Sequence, residues 1–517
     1  MTKRILHAVA ALAAAAHSWA APAPSAEIRI GMIGDIRSTN PGVVGRDFTS
    51  DSVLHHVTEG LVAVKDDLTI APVLAESFTA SADATAYTFK LRKDARFQNG
   101  APLRAADVKW SFERLLKPET QYQCRAYYDG SELPGIQAIE TPDEQTVVIR
   151  LSGANSLFLP MIAAVNCTPM ILHRDSVGPK GEWLKPIGTG PYALKEWKRD
   201  RYVLLERSPH YRARTDARSG LAGKREPLAE HIRWIVINDV AAARAALQSG
   251  QIDLVYSVGP GRARDFLAGG KFKLSRSAGL SRRMILMSQR NPALADIRMR
   301  RAIAMAIDPE VMNKVVEAGQ ATINPSVVPV ISPYRTPAHA QGYRHDLTAA
   351  KTLLGGAGYR GAPLAIKTTK LYPEFYDSAI VLQSQLKAIG INAQIEVLEW
   401  PTLLNDYLND NFQLLTWQFS PRTDAALDYA DVLGPKAKYR DLQWDNPTAF
   451  ALLVKAGGEP EFEARRGLYQ EIHEMMLRDV PFANLMDSPV LDVVSPRLEG
   501  YAAWPGATPR LWGVRVK

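Results

Sequence analysis

Cysteine is scarce in this chain of 517 residues, which has two, Cys124 and Cys167. Charge of one sign is scarce too: 62 basic against 54 acidic side chains leave a formal net charge of +8, scattered along the chain. That surplus is too modest for a phosphate track, so nucleic acid is not an expected partner. The cluster Arg298, Arg300 and Arg301 is expected to be a solvated helix face. Past the first residues no apolar run reaches about 18 residues, so no membrane-spanning helix is expected. Repeats and low-complexity segments are missing, and 46% apolar with 22% charged residues is ordinary for a soluble globular protein. Readable catalytic motifs are missing as well: no Walker A loop, no G-x-S-x-G elbow and no H-E-x-x-H helix. His55 and His56 are adjacent, and helix neighbours point about 100° apart, so without a third ligand placed by the fold they do not chelate a metal. No feature argues for an enzyme, a resident metal or a cofactor.

The length corresponds to about three domain-sized units. Residues 1–26 read as a secretory signal. Lys3 and Arg4 form a positive start, Ile5 to Ala16 a short apolar stretch, and Ser18-Trp19-Ala20 a cleavage site, with cleavage after Ala23 or Ala26 as alternatives. No cysteine lies near that site, so the expectation is a free periplasmic protein of a Gram-negative cell and not a lipid-tethered one. Two cysteines in an oxidising compartment favour one disulfide, two separate buried thiols being the alternative. Closing a loop of about 44 residues would contribute about 4 kcal/mol in the chain-entropy model.

Periodicity predicts a mixed α/β chain. Strands are expected over residues 27–32, 61–65, 85–92, 231–238, 252–257, 364–369 and 391–398. In the third, Tyr87, Phe89 and Leu91 face one way, and Thr88, Lys90 and Arg92 the other. Helices are expected over 51–60, around Val108 to Leu116, over 241–248 with Asp239 as N-cap, and over 375–389. The runs 231–257 and 364–398 therefore read as strand–helix–strand units of parallel sheet. Asp308-Pro309 marks another helix start.

Several blocks occur in a fixed order: PVLAESFTASADATAYTFKLRKDARFQNGAPLRAADVKWSFERLL (72–116), IGTGPYALKEWKRDRYVLLERSPHYR (187–212), RAALQSGQIDLV (244–255) and DIRMRRAIAMAID (296–308). Together they resemble the extracellular solute-binding proteins of family 5, the dipeptide, oligopeptide and nickel binders of ABC importers. The resemblance covers almost the whole mature chain. It implies an α/β, two-lobed periplasmic binding fold with an extra subdomain in lobe I and two crossing segments. Lobe I would comprise residues 27–280, with the subdomain near 50–184, and the C-terminal return 488–517; lobe II would comprise 281–487. The crossings would lie at 282–289 and 488–494, and both cysteines would sit inside the subdomain. The implied function is capture of a small solute, a short peptide by preference, and delivery to ABC permease subunits with their cytoplasmic ATPase. A monomer is expected.

In peptide binders of this kind, a strand ending in Trp leads to a loop Asp that pairs with the peptide's α-ammonium. The matching stretch is LLTWQFSPRTDAALDYADVL (414–433). Trp417 holds the aromatic position, but Ser420 stands at the carboxylate position, followed by Arg422 and Asp424. A lone hydroxyl poorly compensates a buried ammonium, whereas the planar fork of Arg422 suits a carboxylate or another strong acceptor. The ligand is therefore expected to present an anionic or strongly accepting group. Asp424 would orient Arg422 or meet a ligand donor; an Arg–Asp pair that braces the loop is the alternative. Strand alternation puts Trp417 and Phe419 on one face, expected to be walls of the ligand pocket because such sites are mostly apolar, with core packing the alternative. Arg46 and Asp47, in the loop after the first strand, are contact candidates or solvated loop charges. GTGPY (188–192) is expected to be a structural turn. The departure at Ser420 keeps a second substrate class open, a non-peptide solute such as an opine-like conjugate, a sugar or a chelated metal.

Overall fold

A computed structural model describes residues 27–43 and 48–517. The proposed signal segment and the candidates Arg46 and Asp47 lie outside the described residues. No helix among those described is long and apolar enough to cross a membrane.

One eleven-stranded sheet runs through the molecule. At one end, Glu27–Met32 pairs in parallel with His231–Val236 and with Leu254–Val255, and the helix Val240–Gln248 crosses between the latter two. Asp239 caps that helix, its carboxylate accepting from Ala242 N at 2.7 Å. At the other end, Leu364–Thr368 pairs in parallel with Ala393–Val397 and with Leu414–Phe419, the helix Pro373–Ala388 providing the crossover. Both units follow from the sequence: alternating or continuous apolar runs of five or six residues, each followed by an amphipathic helix of the length a parallel return needs.

Two long strands join the halves. Lys273–Met287 and Phe482–Val494 lie antiparallel and zip together along most of their length. Regular pairing is interrupted twice: residues 278–280 bulge opposite Pro489 between the pairs Ser277↔Val490 and Ser281↔Ser488, and Leu485 is skipped between Arg283↔Met486 and Met284↔Asn484. Pro489 has no N–H to give the ladder. Gly279 fills the bulge so tightly that a Cβ there would sit 1.7 Å from the Ser488 carbonyl oxygen, so only glycine fits.

A separate four-stranded antiparallel sheet, ordered Ala75–Ala80, Ala86–Leu91, Thr146–Leu151, Ile136–Asp143, packs on the helix Ala105–Leu116. Tyr87, Phe89 and Leu91 are buried and Lys90 is exposed, as alternation predicts. Arg92 departs from that pattern. It is buried, held by Asp94 through two 2.9 Å bonds and by the Arg212 carbonyl. The Cys124 and Cys167 sulfurs are bonded, and the hydroxyls of Tyr122 and Tyr128 both donate to the Cys167 carbonyl, at 2.6 and 3.0 Å.

Three further expectations need correction. The helix expected over 51–60 ends early, as Phe48–Leu54. Beyond it the chain is buried, and its carbonyls are taken by other segments: Val57 O accepts from Gly190 N and the Gln98 side chain, and His56 O from Tyr192 N. The glycines of GTGPY serve that contact and not a left-handed turn, since a Cβ on Gly188 would lie 2.2 Å from Val57 O and one on Gly190 2.5 Å from His56 O. Nor is Arg300 solvated. It is buried and donates to the carbonyls of Asp479 and Val480, at the C-terminal end of the helix Phe462–Asp479, where a cation meets unpaired carbonyls. Arg298, by contrast, is exposed and paired with Asp296.

Candidate functional site

Ligands of open α/β sheets bind beyond the carboxyl ends of parallel strands. Here two such sets of ends confront each other. The loop after Leu254–Val255 reaches Gly259, where a Cβ would stand 2.3 Å from the Glu374 carboxylate, at the start of the helix that follows Leu364–Thr368. The gap between the two edges is therefore the place where both halves can touch one solute.

One wall of the gap is aromatic. Trp417 stacks on Tyr407 at 4.3 Å and on Trp400 at 5.6 Å, and Tyr372 meets Trp400 edge-on at 5.2 Å. Trp417 and Phe419 do share a face, as alternation requires. Both are nearly fully buried, at 6% and 7% exposure, so Trp417 lies behind Trp400. The exposed members of this wall are Tyr372 at 42% and Leu371 at 58%.

Ser420 is exposed at the strand's end, and Arg422 is buried beyond it. Its Nη2 donates to Asp431 Oδ1 at 2.8 Å. The other oxygen of Asp431 accepts from Arg282 Nη2 at 2.6 Å, and Arg282 Nε lies 3.1 Å from Asp428 Oδ1. Two guanidinium groups and two carboxylates thus form one buried chain across the strand Lys273–Met287 and the helix Ala425–Ala430. Arg282 has no exposed surface and lies over the Phe419 ring at 5.1 Å. Burial pushes the Asp428 carboxyl well above the usual carboxylate range, with Arg282 opposing. For Arg422, burial opposes the charge, but Asp431, Tyr127 and Asp428 more than restore it, so its pKa rises. Tyr127 belongs to the turn beside the disulfide, which places that turn close to Arg422.

Asp424 does not pair with Arg422. Its carboxylate caps the helix Ala425–Ala430, accepting from Ala426 N at 2.9 Å, and faces Arg465. Burial raises its pKa, with Arg465 opposing. Sequence reasoning thus missed Asp431, Arg282, Trp400, Tyr407 and Arg465. The D-x-x-D spacing of Asp428 and Asp431, one helical turn apart, was the readable signal for the first.

In the first-strand loop, Asn40 Oδ1 accepts from Arg114 at 3.0 Å, Thr39 Oγ1 from the Trp183 indole at 3.0 Å, and Gly42 O from Gln123 N. These bonds fix residues 39–42 against the small antiparallel subdomain. Among the described residues no group of His, Cys, Asp or Glu is arranged to hold a metal ion.

Two halves sharing a sheet, linked by a paired-strand crossing and facing each other across a gap with aromatic and ionic walls, are the architecture of a two-lobed solute-binding protein. The chain belongs to the bacterial extracellular solute-binding proteins, family 5, whose middle-region model matches residues 69–440. A glutathione-binding protein, GsiB of Salmonella choleraesuis (strain SC-B67), is 26% identical, with 98% of each chain covered. Among solved structures, the substrate-binding protein CtaP of Listeria monocytogenes superposes with a TM-score of 0.84 at 21% identity, covering 95% of this chain and 99% of that one. DppA of Helicobacter pylori, in complex with the peptide STSA, gives a TM-score of 0.76 at 23% identity, over 95% and 98% of the two chains.

Proposed function

We propose that this chain is the periplasmic receptor of an ABC importer. Exported by residues 1–26 and not lipid-anchored, it closes as a monomer around a short peptide or peptide-like solute and hands it unchanged to a membrane permease. The lobes of this reading are residues 27–280 with 488–517, and 281–487. Closure needs a ligand that touches both lobes, because only preferential affinity for the closed form shifts the population. Moving from 1:99 to 99:1 closed takes about 5.5 kcal/mol of such preference.

The observation that carries the substrate class is Arg422. It follows a strand end whose acidic position is Ser420, and Asp431 holds it in place with one of its two Nη groups. Its Nε makes no hydrogen bond among the described residues, leaving donors for a ligand carboxylate or carbonyl, while Trp400 and Tyr372 offer an apolar wall. Glutathione, the ligand named for the Salmonella relative, carries two carboxylates and is the first cargo to test. The non-peptide alternative is not favoured by the relatives named above.

The test is native mass spectrometry of whatever co-purifies, followed by a thermal-shift screen of glutathione, dipeptides, longer peptides, opines and sugars. Small-angle scattering with the best binder should show compaction, and the recovered ligand should have unaltered mass. A chain that binds no member of the peptide set, or that returns a cleaved ligand, is not this receptor.

A further inference from the structure

A second, partly open cleft lies behind the loop that carries Arg422. A cavity of about 560 Å³ opens between the antiparallel subdomain, which supplies Phe78, Tyr87 and Ser156, and the opposite lobe, which supplies Thr423, Phe462 and Arg465. None of the residues placed at the strand-end gap (Tyr372, Trp400, Ser420, Arg422) lines it. Its volume is that of a small-molecule site, and aromatic rings form much of its wall.

Three side chains around it carry buried polar atoms without partners. Arg465 is buried, donates to the Tyr334 hydroxyl and faces Asp424, yet its Nε has no hydrogen-bond partner. The Thr423 and Ser156 hydroxyl oxygens are also buried without partners. Buried polar groups in native proteins are almost always satisfied, and leaving one unpaired costs roughly 1–3 kcal/mol. Three such groups, from two lobes, converge on one space. One is an obligate donor and two are hydroxyls able to accept. The charges of Arg465 and Asp424 offset each other, so the site has no net demand for a counter-ion.

We propose that this cavity is a second binding site, separate from the cargo gap, for an uncharged amide with an apolar or aromatic body. The amide carbonyl would accept from Arg465 Nε, its N–H would donate to Thr423 or Ser156, and the body would lie between Phe78, Tyr87 and Phe462. Because both lobes build the walls, an occupant binds the closed form alone. It therefore favours closure and is coupled to cargo binding with the same sign in both directions.

Phenylacetamide tests this against phenylacetate and 2-phenylethylamine, which keep the ring and change the charge of the head. Titration calorimetry on the full chain should show one amide site, with both charged analogues weaker by about tenfold or more, the cost of an ill-matched buried polar head. Ser156→Ala should weaken the amide by several-fold. Leu159→Trp, which fills the cavity from its wall, should abolish amide binding while thermal-shift responses to cargo peptides persist. Failure of the amide to bind, tighter binding of either charged analogue, or amide binding that survives Leu159→Trp overturns the proposal. So does simple competition between amide and cargo. The amide titrations need no cargo, so a chain that fails as a peptide receptor leaves their outcome readable.

Discussion

Arg422 is clasped by Asp431, nine residues on, and not by Asp424, two residues on; the Nη2 to Oδ1 distance is 2.8 Å. Geometry explains the choice. Asp424 caps the helix Ala425–Ala430 and turns to Arg465, whereas Asp431, one turn past Asp428, is already fixed by Arg282. The pairing aims a guanidinium fork while burying it, and an aimed fork loses less freedom when a ligand arrives.

Replacing Arg422 by Ala or Lys should therefore weaken peptide affinity by about tenfold or more, because lysine cannot reproduce the planar fork. Asp431→Asn should also weaken binding, although Asp431 is turned to the two arginines. It should lower stability as well, since Arg282 loses one of its two charged partners in a fully buried place. Titration calorimetry and urea denaturation of the three variants check this. Native-like affinity for Asp431→Asn would mean that Arg422 needs no brace.

Stability should fall as pH drops from about 6.5 towards 4. Burial lowers the pKa of His55 to about 4 and of His56 and His339 to about 3, from 6.5. Below 6.5 the unfolded chain gains protons that the folded one refuses, so each histidine costs stability on acidification. Burial raises Asp487 and Asp492 from 3.8 to about 6, which acts in the opposite direction, since folding retains their protons between about 4 and 6. Asp424 and Asp428, also raised by burial, act with these aspartates, and His473, lowered by burial, acts with the other histidines. The histidines lead on first acidification because their unfolded pKa of 6.5 lies above the range in which Asp487 and Asp492 take up protons. His56 sets the steepest demand: its Nδ1 donates to Ser52 O and its Nε2 accepts from Leu511 N, an acceptor role that protonation removes. Urea midpoints at pH 7, 5.5 and 4.5 should decline in that order; a flat profile would contradict the burial of these rings.

Gly190→Ala should destabilise by at least the 1–3 kcal/mol typical of overpacking, because the new methyl meets the His56 carbonyl, a backbone atom that cannot turn aside. Gly181→Ala is a weak control for bulk, since no atom lies within 4 Å of its Cβ position, although its φ of +83° adds strain of its own. Thermal denaturation of both should show Gly190→Ala as the more damaging.

Much of the architecture was legible because the relevant signals are local. Strand Glu27–Met32, the caps at Asp239 and Asp308, and both parallel units need only periodicity and end residues to be read. The failures involve long-range partners. Arg300 looked like surface because two of its acceptors, the carbonyls of Asp479 and Val480, lie about 180 residues away, although those of Leu294 and Ala295 are local. The helix after Phe48 looked longer because nothing local reveals that Gly188 and Gly190 crowd the backbone at 56–58. At the site, the segment 414–433 was identifiable, but the partners of its side chains were not. Arg422 and Asp424 sit close in sequence and point to different neighbours, Asp431 on one side and Arg465 on the other.

The bulge at Gly279 opposite Pro489 gives the molecule its mechanical character. Two connectors hydrogen-bonded to each other on both sides of that bulge cannot bend separately, so they act as one flexure. In the closure proposed above, both connectors would flex together. Any surface that senses the outer rims would then learn the state of the interior.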